Sequence, residues 1–163
     1  MTAPIQLLTD HLAEREISFH VDEESGVVHA SILLAQLACQ FVANIEHEDS
    51  LRTAVAIPIR APKEKIVPVG ELTHRINLTL THGDFLLDPD DGEIRFVVSH
   101  FFGEDDISEE AIDHLIDTCK CAIELWGPVY IEVIFSDTEP CKAMRTRLCS
   151  LGLRPPDEGE PGG

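Results

Sequence analysis

Basic residues are scarce. Twelve Lys and Arg stand against 30 Asp and Glu in 163 residues, a formal net charge of -18. A surface of that sign repels phosphate backbones and anionic headgroups at long range, so neither nucleic acid nor membrane is expected as a partner. The short signatures of common chemistry are missing too. The chain has no Gly-rich phosphate loop, no Gly-x-Ser-x-Gly elbow and no His-Glu-x-x-His. It contains no internal repeat. No apolar run is long enough to cross a bilayer cleanly. Residues 27–45 lack Asp, Glu, Lys and Arg, but His29, Ser31, Gln36, Gln40 and Asn44 interrupt them. Polar groups of that kind are costly in hydrocarbon, so the segment reads as buried strands. The opening residues, Met1-Thr2-Ala3-Pro4, show no basic stretch ahead of an apolar run, which predicts no secretion signal. Cys39, Cys119, Cys121, Cys141 and Cys149 are odd in number. Together these features predict reduced thiols and a cytoplasmic location.

What is present suffices for one core. Hydrophobic residues make up 44% of the chain, and the length suits a single domain over residues 1–150. Residues 151–163, rich in Pro, Gly and acid, read as a flexible tail. Ile5, Leu8 and Leu12 at helical spacing predict a helix over residues 4–15. A short strand follows at 18–21, a turn at 22–26, and a second strand from Val27 to about Leu33.

Residues 37–45 alternate with a period of two, as a strand does. The link between Leu33 and Leu37 has no Gly, Pro, Asn or Asp, so a helix over 31–43 stands as an alternative. Leu51, Thr53, Val55, Ile57 and Ile59 predict the next strand, and Pro58 places its end at a sheet edge or exit. Pro68 is expected to open a helix carrying Val69, Leu72, Ile76 and Leu80, ending at Gly83. Phe85–Leu87 and Glu93–Phe101 form a hairpin around Asp91-Gly92. A helix capped by Asp106 or Ser108 runs to Trp126, where Gly127-Pro128 is expected to break it. Residues 129–135 fit strand or helix, and a last helix covers 139–148. Strands joined by short turns imply an antiparallel sheet, and the helices would cover one of its faces. The fold class predicted is two-layer α+β.

Candidate chemistry is thin. Asp88-Pro89-Asp90-Asp91-Gly92 resembles a calcium loop, but Gly92 comes one place early and Ser99 stands where the bidentate Glu belongs. A hairpin turn explains it better. Cys119 and Cys121 are two apart on a helix and point to different faces, which makes a metal knuckle unlike them. His20 and Asp22 could share one strand face. His74 and His82 would lie two helical turns apart. Either pair could serve a metal-dependent enzyme, the alternative to a binding role. No catalytic residue, metal or cofactor follows from the sequence. Asn77-Leu78-Thr79 matches a glycosylation acceptor, discounted inside a predicted helix.

The sheet face away from the helices is more informative. If Leu37, Cys39, Phe41, Ala43 and Ile45 point inward, then Gln40, Val42 and Asn44 point outward. Ala54, Ala56, Val97 and Ser99 join them from the next strands. None of these seven is charged, in a chain that is 26% charged. Such a patch suits a second subunit or a partner segment. It also fits cover by residues 129–135 or the last helix.

Residues 68–96 carry a recognisable pattern. Pro68-Val69-Gly70-Glu71-Leu72-Thr73-His74-Arg75-Ile76-Asn77 leads into Gly83-Asp84-Phe85, then Asp91-Gly92-Glu93-Ile94-Arg95-Phe96. This resembles the YbjN-domain family, with its Arg-x-Asn helix end, Gly-x-Phe strand start and Asp-Gly-Glu hairpin. Ile107-Ser108-Glu109 and Trp126-Gly127-Pro128-Val129-Tyr130 look like its later portion. The resemblance implies a fold similar to type III secretion chaperones, which are acidic dimers that bind polypeptide segments. It implies a regulator or chaperone-like adaptor without enzymatic activity, binding a protein or peptide partner and forming a homodimer. It brings no catalytic residues and no cofactors.

Overall fold

The computed structural model describes residues 3–46, 49–103 and 107–154. Alternating side chains build its centre. β2 (Val28–Leu34), β3 (Leu37–Glu46) and β4 (Ser50–Arg60) are consecutive neighbours, and along each the side chains alternate between buried and more exposed. That is the pattern of a sheet with one face packed and one open. β1 (Phe19–Val21) adds at one edge. β6 (Glu93–Phe101) adds beside β4, with β5 (Asp84–Leu87) outside it. All pairs are antiparallel, in the order β1-β2-β3-β4-β6-β5.

The helices α1 (Ala3–Glu14), α2 (Ile66–Asn77), α3 (Glu109–Phe135) and α4 (Pro140–Ser150) complete the predicted two-layer α+β fold. α3 lies along the packed face of the sheet. Its Cys119 comes within 3.7 Å of Thr53 on β4. The Tyr130 ring packs tilted against Phe85, with centroids 5.2 Å apart, and Phe85 lies 5.0 Å from Phe96. α2 and α3 are joined by a buried polar pair. Thr73 Oγ1 donates to Val69 O at 2.8 Å and lies 3.0 Å from the Tyr130 hydroxyl, which is left to donate to it.

One open alternative is resolved in favour of strands, and two local expectations need correction. The link after β2 is a two-residue hairpin, with Leu34 opposite Leu37, so residues 27–45 are strands throughout their paired length. Its turn residues, Ala35 and Gln36, have φ of 50° and 63°. These are the two left-handed positions of the turn that matches strand twist, normally filled by Asn and Gly. The α2 helix begins at Ile66, ahead of Pro68, because a first-turn proline removes an N–H that has no partner there anyway. It also ends at Asn77 rather than Gly83, leaving Leu80 beyond it. Finally, α3 continues through Gly127-Pro128 to Phe135, so residues 129–135 are helix. Val129, Tyr130, Val133 and Ile134 extend the same buried stripe as Trp126, and this packing holds the helix across the proline. The Ser108 cap is as expected, its side chain accepting from Ala111 N–H at 3.2 Å. Asp106 and the tail from 155 onward lie outside the described residues.

Candidate protein-binding face of the sheet

The registers bring the seven predicted face residues together. Val42 lies opposite Ala54, and Ala54 opposite Val97, forming one row across β3, β4 and β6. Gln40 pairs with Ala56 in the next row. Asn44 and Ser99 flank Arg52 in the row on the other side. None of the seven is buried, whereas Phe41, Val55 and Phe96 on the packed side are. Residues 129–135 belong to α3 on the packed face, and α4 packs against α2 and α3. Neither covers the open face.

The face is larger and less neutral at each point than its seven residues suggest. The central row continues at one end to His29 and His20, and at the other to Asp84. The Gln40–Ala56 row continues to Ser31, Arg95 and Leu86. Arg52 and Arg95 were missed although the same period of two locates them. Arg52 is held by Glu46 at 2.8 Å and Arg95 by Glu93 at 3.0 Å. Arg60 pairs with Asp91 and, at 3.3 Å, with Glu93. The Glu93 N–H, and then Arg60, hold the Asp91 carboxyl below its ordinary range. On the strand face itself Arg52, Arg60 and Arg95 balance Glu46, Glu93 and Asp84. The local sum is therefore near zero on a chain of -18. Leu33 and Phe101 stand 73% and 70% exposed at its margins, leaving apolar surface in water.

A bulge shapes one end of this face. Between Ala56 and Arg60, β4 advances four residues while β6 advances two, from Arg95 to Glu93. Pro58 sits in the excursion, where its missing N–H interrupts no ladder bond. The hairpin loop from Asp88 to Gly92 closes on itself. Asp88 Oδ1 accepts from Asp90 N–H and Asp91 Oδ1 from Glu93 N–H, both at 2.9 Å. Gly92, at φ 75°, lies so close to Ala61 that a Cβ would fall 2.0 Å from its carbonyl. The calcium-like acids are thus turn-forming groups.

The remaining candidates are dispersed. Asp22 uses Oδ1 to accept from Glu24 and Ser25 N–H in the turn after β1, rather than joining His20. His74 and His82 are not on one helix. His82 instead faces His114 of α3, with ring centroids 6.4 Å apart. Among the described residues, no group of three or more His, Cys, Asp or Glu is arranged to hold a metal ion. Cys119 is buried and Cys121 exposed, as their spacing implies, and none of the five cysteines is in a disulfide. No helix among the described residues is long and apolar enough to cross a membrane. The Asn77 side chain is engaged within the fold. Its Nδ2 donates to Phe85 O at 2.9 Å and its Oδ1 accepts from Phe85 N–H at 2.8 Å. The amide thereby mimics a neighbouring strand and closes the outer edge of β5 there.

No curated protein shows a significant match to the chain. The family model described as "Putative bacterial sensory transduction regulator", YbjN, matches residues 4–129, from α1 to just past Pro128 of α3. That is well over half of the chain, and it includes Asn77, Gly83, Phe85 and the Asp91-Gly92 turn. The chain belongs to the YbjN family.

Proposed function

We propose that this chain is a non-enzymatic regulatory adaptor that binds another polypeptide across the open face of its sheet. The bare face carries the reading. The six strands of the described residues, about 4.8 Å apart and three to eleven residues long, give an area on the order of 600–700 Å². A standard interface needs roughly 800 Å² per partner. The Val42–Ala54–Val97 row supplies an apolar centre, and the paired Arg52 and Arg95 supply a polar rim. Because charges on the face sum to near zero, a partner meets there no repulsion of the kind the rest of the surface presents. A cytoplasmic site of action and a chaperone-like way of holding a polypeptide segment belong to the same proposal.

The test uses Ala56→Arg and Val97→Glu. Both should keep the circular dichroism of the parent and lose a partner identified by pull-down from the native host. Light scattering distinguishes a second copy of the chain from a different protein as the occupant. Folded variants that keep partner and mass would place the interface elsewhere. Variants that unfold would show this face to be interior.

A further inference from the structure

The ladder between β5 and β6 stops early. It ends where Asp84 meets Val97, yet β6 runs on to Phe101, still paired to Ser50 of β4. The direction of the backbone groups beyond Val97 follows from three bonds. Asp88 N–H donates to Glu93 O at 2.9 Å, so residue 93 faces the β5 side. With the period of two, residues 95, 97, 99 and 101 face the same way. On the other side, Thr53 Oγ1 donates to Val98 O and Phe102 N–H to Asp49 O, as even-numbered residues facing β4 should. The N–H and C=O of Ser99 and Phe101 therefore point to a side where no strand of the described residues lies.

Space exists on both faces of this edge. On the open side a cleft of about 420 Å³ is bounded by Arg52, His82, Gly83, Asp84 and Ser99. On the helix side another, of about 380 Å³, lies between His82, His114, Asp117, Thr118 and Cys121. Gly83, at φ 73°, marks where the chain enters β5, and a Cβ there would collide with Phe96 and Val97 O. Edge strands are usually guarded by a charge, a proline or a cover. β5 has the Asn77 clamp, whereas Ser99-His100-Phe101 has no Lys or Pro.

We infer that the Ser99–Phe101 edge of β6 takes up a short, extended, basic segment of a partner polypeptide as an added strand in line with β5. This rests on the polypeptide-binding reading above and assigns that binding a place and a mode. The charge follows from the two clefts. Successive side chains of an added strand point to opposite faces, and each cleft has one acid, Asp84 or Asp117, that forms no ion pair among the described residues, while Arg52, which also bounds the open cleft, is held by Glu46 at 2.8 Å. Two neighbouring Lys or Arg in the segment would meet one each, on a chain whose overall field attracts cations.

A fluorescein-labelled hexapeptide, Thr-Val-Lys-Arg-Val-Thr, tests this by anisotropy. Saturable binding is expected. N-methylation of alternate peptide amides, which blocks strand pairing and leaves the charges, should weaken it at least tenfold. Ser99→Pro removes an edge-facing N–H without touching the β4 ladder, and should do the same while circular dichroism stays unchanged. Asp117→Asn should weaken binding severalfold. Equal binding by the methylated peptide, or by folded Ser99→Pro, overturns the inference. If Ser99→Pro fails to fold, the methylated peptide decides alone. If Ser99→Pro instead converts a dimer to a monomer in sedimentation, the edge belongs to a second copy and the inference fails. A native partner retained by Ser99→Pro but lost by Val97→Glu leaves the open-face reading standing and overturns the edge. Absence of any partner sinks the broader reading, whatever the hexapeptide does.

Discussion

Arg147 of α4 completes the hydrogen bonding that Pro128 interrupts in α3. Its Nη2 donates to Glu124 O at 2.8 Å and its Nε to Leu125 O at 3.1 Å. Glu124 is the residue four before Pro128, so its carbonyl is the acceptor that the proline nitrogen cannot serve. A guanidinium holds several donors in a fixed fork and can address two successive carbonyls at once. The long helix thus survives an internal proline partly because a separate helix supplies the donor.

Arg147→Ala should lower stability by about 1–2 kcal/mol, as loss of charge-assisted hydrogen bonds does. The loss should shrink in a Pro128→Ala background, where residue 128 again offers its own N–H to Glu124. A double-mutant cycle by urea denaturation measures the coupling. Equal losses in both backgrounds would mean that Arg147 acts through packing alone.

The Ala35-Gln36 turn should be improvable. Both residues hold positive φ, 50° and 63°, and each non-glycine residue there costs roughly 1 kcal/mol. Ala35→Asn with Gln36→Gly should raise stability by about 1–2 kcal/mol. Thermal denaturation is the check, and an unchanged midpoint would argue against strain in this turn. The same turn shows where sequence stops being readable. Strand alternation from Leu37 to Ile57 is written in the side chains and was legible, as were the Asp91-Gly92 hairpin and the Ser108 cap. The β2–β3 turn was not, because pairing on both flanks forces a conformation that Ala and Gln do not favour alone. Gly127-Pro128 misled for a related reason. The donor that rescues the helix comes from Arg147, 19 residues further along the chain, and local sequence carries no sign of it. The open face was found in outline from periodicity. Its arginines, Arg52 and Arg95, stand at the same period of two and were equally legible. The free edge of β6 depends on the relative lengths of β5 and β6, which no propensity fixes.

The five thiols should separate by position. Cys121 and Cys149 are exposed, Cys141 is half-buried, and Cys39 and Cys119 are buried. Burial pushes the Cys119 thiol up to about 11, a rise only partly offset by its contact with Thr53, and burial also raises Cys39. A thiol reagent at neutral pH should label Cys121 and Cys149 quickly in the native protein, with Cys39 and Cys119 labelled only on unfolding. The same burial sets a pH dependence of stability. In the unfolded chain the thiol ionises near its ordinary value of about 8.5, whereas in the folded chain Cys119 holds its proton to about 11. Between these values the folded state binds more protons, so stability falls as pH rises. The contribution of this group is complete below about pH 8.5 and is lost as pH climbs toward 11, at a slope on the order of 1 kcal/mol per pH unit. Cys119→Ala loses packing at every pH but should show a shallower alkaline decline than the parent in urea denaturation between pH 8 and 10. Parallel declines would mean that Cys119 ionises in the folded chain as easily as in the unfolded one, and that its burial beside Thr53 does not hold in solution.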